Sequence, residues 1–533
     1  MLSRISRLVV AAALLLGSIT ATAIAPKHEM RGLWVATVYG IDWPSRVGST
    51  AADAAAQKKE LIALLDMARE SGFNSIMLQV RPMGDAFYRS SLEPWSAYLT
   101  GARGQAPVTG WDPLKFAVEE SHKRGLELHA WVNPFRFSAS GLPDTSTDRK
   151  VISKGWILTN KKTVKTPTRK KVVKGRKGRK RTITVPGKTT VVNGVSIFDP
   201  GNPDARAHVV EVCREIVRNY DIDGLIFDDY FYPDKFPVAD GLDPEEEGNR
   251  RRDNVAVAIR EIYEMIQSEK PYVRFGVSPA GVAGGNGKAT VPYDGLEPPT
   301  VGEDWMYEDI YCDPLRWLAD GTVDYVSPQI YWPRDHATNP FEPLASWWAG
   351  VARYFKRDMY VSQSVSSLPA GSDAWLEQRA EVNATRADSR REHTVPGQIF
   401  YSAAHFNGKK ASGLGAELAT HEYRTPALLP AMTWKEAPAQ QQARDLVRKN
   451  NTLSWYSPQD GRWVCYAIPR DVTPIDALDP ASNGFSPEYI MGVSYENHFD
   501  IPLRFLKNYW YAVAPYDRYG NEGEPITIGA PKF

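Results

Sequence analysis

Short apolar runs of strand length recur along the chain, and each ends in a polar or aromatic tip. Eight stand out: Met30–Thr37, Ser75–Arg81, Glu127–Asn133, Gly224–Tyr230, Arg274–Pro279, Tyr325–Tyr331, Met359–Val365 and Gln398–Ala403. Near-continuous apolar runs of this length suit strands covered on both faces. Helical patterns lie between them. Leu61, Leu64, Leu65 and Ala68 fall at i, i+3, i+4, i+7, and Gly72 closes that helix. Phe116, Val118 and His122 repeat the pattern ahead of Gly125, as do Val209, Val212, Ile216 and Val217 ahead of Tyr220. Val255, Ile259, Ile262 and Ile266 do the same before Arg274. Eight buried strands alternating with helices predict an α/β chain folded as a (β/α)8 TIM barrel. A doubly wound sheet is the alternative, but no GxGxxG follows the first strand.

Two segments break the repeat. Between the third and fourth strands, at about 138–196, alternating Thr and Val with Pro and Gly predict a β-hairpin insertion. Its stretch 161–181, KKTVKTPTRKKVVKGRKGRKR, is dense in Lys and Arg. Such a run reads as a solvated loop or as a contact for a polyanion. It lacks interleaved aromatics, so base stacking is not suggested. At the C-terminus, strand-like runs around Trp455, Trp463–Ile468 and Tyr509–Val513 are separated by Pro, Gly, Asn and Asp clusters. They predict an all-β sandwich, and the closing YWYAVAPYDRYGNEGEP resembles the end of a fibronectin type III-like module. The expected organisation is a signal peptide over 1–25 and a barrel over 26–425. A linker over 426–440 and the sandwich over 441–533 follow.

The N-terminal segment carries Arg4 and Arg7, then an apolar run from Leu8 to Leu16 that is too short to span a bilayer. Ala21-Thr22-Ala23 and Ala23-Ile24-Ala25 both offer small-x-small cleavage sites. The chain is therefore expected to cross the inner membrane and act in the periplasm, with no transmembrane segment in the mature part. Cys213, Cys312 and Cys465 are far apart and odd in number, which disfavours a disulfide scaffold or a zinc site.

Composition narrows the partners. The 533 residues contain 64 Lys+Arg and 63 Asp+Glu, for a net charge of +1, so the chain as a whole is not a polyanion binder. It has 16 Trp, 25 Tyr and 18 Phe. Flat aromatics stack on the apolar C–H faces of sugars, although most of these rings must be core.

The densest chemistry is Asp221-Ile222-Asp223-Gly224-Leu225-Ile226-Phe227-Asp228-Asp229-Tyr230-Phe231-Tyr232-Pro233. An apolar strand here ends in two carboxylates and three aromatics, at the strand end where barrels keep their chemistry. Burying unpaired acids costs several kcal/mol, so these acids are expected at a cleft. Strand alternation puts Asp228 and Tyr230 toward the barrel mouth and Asp229 the other way. Gln79 and Arg81 share a face of the second strand, and Asp85 follows as a further acid. Trp131 and Asn133 end the third strand; Gln329, Tyr331 and Trp332 end the sixth. Of Trp34, Trp43, Trp131 and Trp332, one or two are expected to stack on substrate and the rest to pack the rim. The nine His include no HExxH, and His129 has no clustered partner. No GxSxG or Walker-type loop is present. No metal or other cofactor is expected.

Several stretches together resemble the bacterial glycosyl hydrolase-like 10 family: MRGLWVAT…DWPS, GFNSIMLQVRPMGDAFY, GWDPLKFAVEESHKRGLELHAWVNPFR, DGLIFDDYFYP, FGVSPAGV and VDYVSPQIYWP. They run in order from about Met30 to Tyr401. The resemblance implies an exported glycosidase of peptidoglycan glycan strands, including strands stripped of peptides, on a TIM barrel. It implies roles for Asp228 and Asp229 and for Gln329, Tyr331 and Trp332; Asp85 matches the RPxGDAxY segment, where the acid's position varies within the family. Trp34 and Asp42, in the opening stretch, are further candidate substrate-binding residues. Chitinase-type barrels are a more distant likeness: aligning their fourth-strand DGxDxDxE here puts Asp228 on the last Asp and Tyr230 on the catalytic Glu. The expected reaction is carboxylate acid/base hydrolysis of an N-acetylated polysaccharide. Asp228 would be acid or acetamido-orienting residue, Asp229 its partner and Asp85 a second acid. The seventh strand, MYVSQSV, has no carboxylate, against acids on strands four and seven. The alternative function is a non-catalytic envelope glycan-binding protein, and a third is a polyanion binder acting through 161–181.

Overall fold

The computed structural model describes residues 25–531 except 166–167, 175–179, 186–188, 235, 239–240, 284–292, 294, 300–304, 366–371, 407–412, 459–460 and 481–483. The expected signal peptide lies almost wholly outside the described residues. Eight parallel strands close on themselves. They are Met30–Val35, Ser75–Arg81, Glu127–Val132, Gly224–Phe227, Arg274–Val277, Tyr325–Val326, Asp358–Ser364 (interrupted at Tyr360) and Gly397–Tyr401. Each pairs with the next: Leu33 with Ile76, Met77 with His129, His129 with Gly224, Gly276 with Phe227's neighbour Ile226, and Tyr325 with both Gly276 and Asp358. The eighth returns to the first, with Met30 opposite Gly397. The TIM barrel read from the apolar runs is the observed fold.

Helices cover the outside of the sheet because their apolar stripes must be buried. Ala51–Glu70 turns Leu61, Leu64, Leu65 and Ala68 inward and starts in a Thr50/Asp53 capping box. Pro203–Asn219 and Pro244–Glu269 bury the predicted Val and Ile stripes in the same way. Among the described residues no helix is long and apolar enough to cross a membrane, and the three cysteines are buried thiols.

The lumen is packed by pairing large residues with none. A Cβ on Gly276 would lie 2.1 Å from Tyr325 Cζ, and one on Gly224 would lie 2.4 Å from His129 Nδ1. Glycine at these positions makes room for two rings that share a hydrogen bond, His129 Nδ1 to Tyr325 Oη at 3.1 Å. Trp34, Met77, Trp131, Ile226 and Ile399 pack with Tyr325 in the same lumen cluster.

The insertion is β-structured as expected. Arg136–Ser138, Thr189–Phe198 and Ile157–Lys165 form one antiparallel sheet, and Arg169–Lys174 pairs with Lys180–Val185. The C-terminal part has two sheets. One holds Arg444–Lys449, Thr452–Tyr456 and His498–Asp500; the other orders Ile490–Ser494, Arg462–Pro469, Tyr509–Tyr516 and Ile526–Ile528. Odd-numbered Trp463, Cys465 and Ala467 join Leu453, Trp455 and Val513 in one core, while even-numbered Val464, Tyr466 and Ile468 pack with Leu428 and Phe485 in another.

This sandwich stoppers the lower end of the barrel. Arg462 ion-pairs with Glu127, and Arg518 reaches Asp223 at 3.0 Å and Asp221 at 2.9 Å. Tyr495 stacks on His122 with ring centroids 3.8 Å apart. The stretch after the eighth strand lies against the same floor: Arg274 donates to the Pro430 carbonyl at 2.7 Å, and Trp434 and Lys435 both bond Asp324 at 2.9 and 2.8 Å. Burial opposes ionisation of Glu127, but Arg462, the His129 hydrogen bond and Arg274 together hold the carboxyl down at about 2. Asp223, buried likewise, is held lower still by His122 and Arg518. The open end of the barrel is therefore the other one.

Candidate active site

The fourth strand ends at Phe227, so Asp228 and Asp229 have left the sheet when they reach the mouth. Strict alternation does not apply to them, and Asp229 does not point away as the period of two suggested. Asp228 lies against the third strand. Trp131 Nε1–H donates to its Oδ2 at 3.1 Å and Asn133 Nδ2–H to the same oxygen at 3.2 Å. The Tyr230 amide contacts Oδ1 at 3.4 Å. Asp229 reaches across to Gln329, which hydrogen-bonds it and lies three residues past the sixth strand, not at its end as the sequence suggested; Gln329 also donates to the Ser278 carbonyl at 3.0 Å.

Both carboxyls are almost fully buried. Burial pushes Asp228 up to about 7, opposed by nearby Arg136 and reinforced by the charge of Asp229. Burial also pushes Asp229 up to about 6, against its own backbone amide and Gln329. Two adjacent acids that hold protons near neutrality can supply general acid chemistry, for which a pKa close to the working pH is optimal.

Other predicted residues complete the lining. Trp34 and Trp131 meet edge to face at 4.8 Å, and Trp34 Nε1–H donates to Ser362 Oγ at 2.9 Å. Both indoles are buried, spent on polar partners inside the lumen rather than offered as flat faces. Tyr331 stacks on Tyr401 at 5.9 Å and bonds Ser362. Trp332 sits half-buried at the rim beside His336. Tyr230 is 46% exposed and lies under the Arg136 guanidinium, 4.0 Å from the ring centroid.

The remaining predicted residues brace the mouth. Gln79 Oε1 accepts from the Thr37 and Val38 amides at 3.0 and 2.8 Å, fixing the loop after the first strand. Arg81 forks onto Glu93 and bonds the Asn133 carbonyl. Glu93 is buried, yet Arg81 holds it at about 2. Asp42 ties the Ala36 amide to Ser402 and the Ala404 amide, at 2.6, 2.8 and 2.7 Å. Asp85 is buried, its pKa raised for that reason, and it pairs with Arg103 at 3.2 Å. These four are joined to the acids through backbone and loops, not by contact.

Three groups at the mouth had no place in the motif reading. Arg136 follows Asn133-Pro134-Phe135, so its position at a strand end was a usable signal. Ser362 lies within the seventh strand and Tyr401 ends the eighth, and no motif marks either. Tyr39 is 67% exposed at the rim and packs edge-on against Tyr98 at 5.3 Å. Exposed aromatic faces at the described rim are thus tyrosines, Tyr39 and Tyr230. Two clefts, of about 400 and 850 Å³, open between sandwich and barrel floor, at the end remote from the acids.

Residues 29–376 match the family described as Glycosyl hydrolase-like 10. The chain is 34% identical over 427 residues to glycosyl hydrolase YngK of Bacillus subtilis (strain 168), covering 76% of this chain and 74% of that protein. It is 33% identical over 366 residues to glycosyl hydrolase DigH of Escherichia coli (strain K12), covering 64% and 74%. Among solved structures, the PgaB (BpsB) glycoside hydrolase domain from Bordetella bronchiseptica is 12% identical with a TM-score of 0.42, over 70% of this chain and 98% of that one.

Proposed function

The chain belongs to the glycosyl hydrolase-like 10 family and is a glycosidase; from that premise we propose that it hydrolyses N-acetylated glycan strands of the bacterial cell wall. The observation that carries the assignment is the Asp228–Asp229 pair, buried at the open end of the barrel with both carboxyls raised toward neutrality. Asp228 holds the proton that passes to the glycosidic oxygen as the bond to the anomeric carbon breaks. The positive charge that develops on the ring is supported by Asp229 in its ionised form, or by the acetamido group of the substrate oriented by it. Trp131 and Asn133 stabilise the carboxylate left on Asp228, which takes back a proton as water adds to the anomeric carbon. Asp85, held by Arg103, braces the loop after the second strand. Exposed Tyr39 and Tyr230 provide sugar-stacking faces at the rim.

The N-terminal pattern supports export, which would place the enzyme with such a substrate in the periplasm. The strand order of the C-terminal sandwich, three strands facing four, supports a fibronectin type III-like module. Incubation with purified peptidoglycan, with and without stem peptides, followed by mass spectrometry tests the proposal. New reducing ends made by the wild type and absent with Asp228→Asn support it. Anhydro-sugar ends would indicate lytic cleavage instead. Tight binding without any product would favour a glycan-binding protein.

A further inference from the structure

The insertion after the third strand is a ribbon built of two antiparallel strand pairs. Lys161 pairs with Asn193 and Lys165 with Thr189 in the inner pair, Arg169 with Val185 and Lys174 with Lys180 in the outer. At about 3.3 Å per residue the outer pair alone runs roughly 20 Å. Arg169, Lys170, Lys171, Lys174, Lys180 and Arg181 all fall on this outer pair.

Stretch 161–181 holds twelve Lys and Arg and no acid; with a whole-chain charge of +1, the rest of the chain carries −11. Lys174 and Lys180 are register partners at the end of the outer pair. No Phe, Tyr or Trp lies between Trp156 and Phe198, so the arm has neither stacking platforms for bases nor aromatic anchors for a membrane interface.

The root of the same sheet is at the acids. Strand Arg136–Ser138 pairs with the returning ribbon strand, Arg136 opposite Ile197. Arg136 sits over Tyr230 and within electrostatic reach of Asp228 and Asp229. Among the described residues it makes no ion pair within 4 Å. Basic positions therefore run from the outer ribbon through its root to the mouth.

We infer that the ribbon is an electrostatic track for an anionic glycan, one that carries ionised carboxylates along its length and is led past Arg136 to Asp228. This rests on the glycosidase assignment and adds to it the charge of the substrate. The ribbon acts on capture, raising the local concentration of strand at the mouth, and not on the chemical step.

The test uses the full chain and soluble glycan strands with free carboxylates, beside the same strands methyl-esterified. Two ribbon variants are compared with wild type: Lys170→Gln/Lys171→Gln/Lys174→Gln/Lys180→Gln, and a shortened ribbon joining Lys165 to Thr189 through Asn-Gly. Their thermal midpoints report folding. Dissociation constants are measured on an Asp228→Asn background, and KM and kcat on the active chain. The expected result is a loss of about tenfold or more in affinity for the carboxylate glycan at low salt, with a flattened salt dependence. It should appear in KM and not in kcat, with little change for the esterified strands. Equal affinity for charged and esterified glycan would overturn the inference. So would unchanged affinity in both variants, or a ribbon-dependent binding of phosphatidylglycerol vesicles without any effect on glycan. Binding that follows the ribbon while neither glycan is cleaved would count against the catalytic proposal and leave the track standing.

Discussion

Asn133 and Trp131 converge on a single oxygen of Asp228, at 3.2 and 3.1 Å, Trp131 from within the third strand and Asn133 from just past its end. The donors favour the ionised acid, yet burial prevails and the carboxyl titrates at about 7. The site therefore keeps a proton available while preparing the groups that will stabilise its loss.

Replacing that acid by an amide should slow turnover sharply and also make the protein more stable. An acid whose folded pKa is raised destabilises the fold progressively as pH climbs from the unfolded value near 4 to about 7, and fully above that. Asp228→Asn removes this burden. It should gain roughly 2–4 kcal/mol at pH 8 and nothing at pH 4, while hydrolysis falls by about 10²–10⁴-fold. Paired urea titrations at the two pH values, with rates on the same samples, check both parts.

Activity should decline above about pH 7 as Asp228 ionises. Trp131→Phe deletes a donor that favours the carboxylate, so the alkaline limb should move to higher pH by about one unit. A pH–kcat/KM profile of the two proteins measures the displacement; coincident limbs would mean another group controls that limb.

Arg462→Met leaves Glu127 and Asp223 in the floor with less countercharge. A cost of about 3–5 kcal/mol is expected from stranding a buried charge, read by chemical denaturation. Glu127 and Asp223 are depressed acids, so their stabilisation is present above the unfolded pKa near 4 and fades as pH falls toward 2. The variant should lose that acid limb, and Glu127→Gln added to it should recover part of the loss.

Gly276→Ala places a methyl group 2.1 Å from the Tyr325 ring. Overpacking of this kind should cost at least about 1–3 kcal/mol. Combining it with Tyr325→Val should be less damaging than the sum of the single changes, a coupling that a double-mutant cycle quantifies.

The eight apolar runs predicted where the barrel strands lie because strands covered on both faces read as short, near-continuous apolar stretches. Helix stripes such as Leu61, Leu64, Leu65 and Ala68 were legible for a similar reason. The acids were legible as chemistry because nothing in a core requires Asp228-Asp229 after Leu225-Ile226-Phe227. Their directions were not, since a period of two holds only while the backbone stays in the sheet, and it leaves at Phe227. The indoles were legible as rim residues but not as donors, because what Trp34 and Trp131 bond depends on Ser362 and Asp228, which lie 328 and 97 residues away. Arg136 acquires its meaning from the fold of the insertion, which local sequence leaves open.

The floor contacts also bear on how such proteins can be recombined. Arg462 and Arg518 belong to the sandwich, but the acids they neutralise, Glu127, Asp221 and Asp223, belong to the barrel. A chimera that grafts this barrel onto a foreign partner, or onto none, inherits three acids and loses their arginines. Barrel and sandwich are therefore a matched pair, and any successful exchange of parts has to carry the countercharges along with the fold.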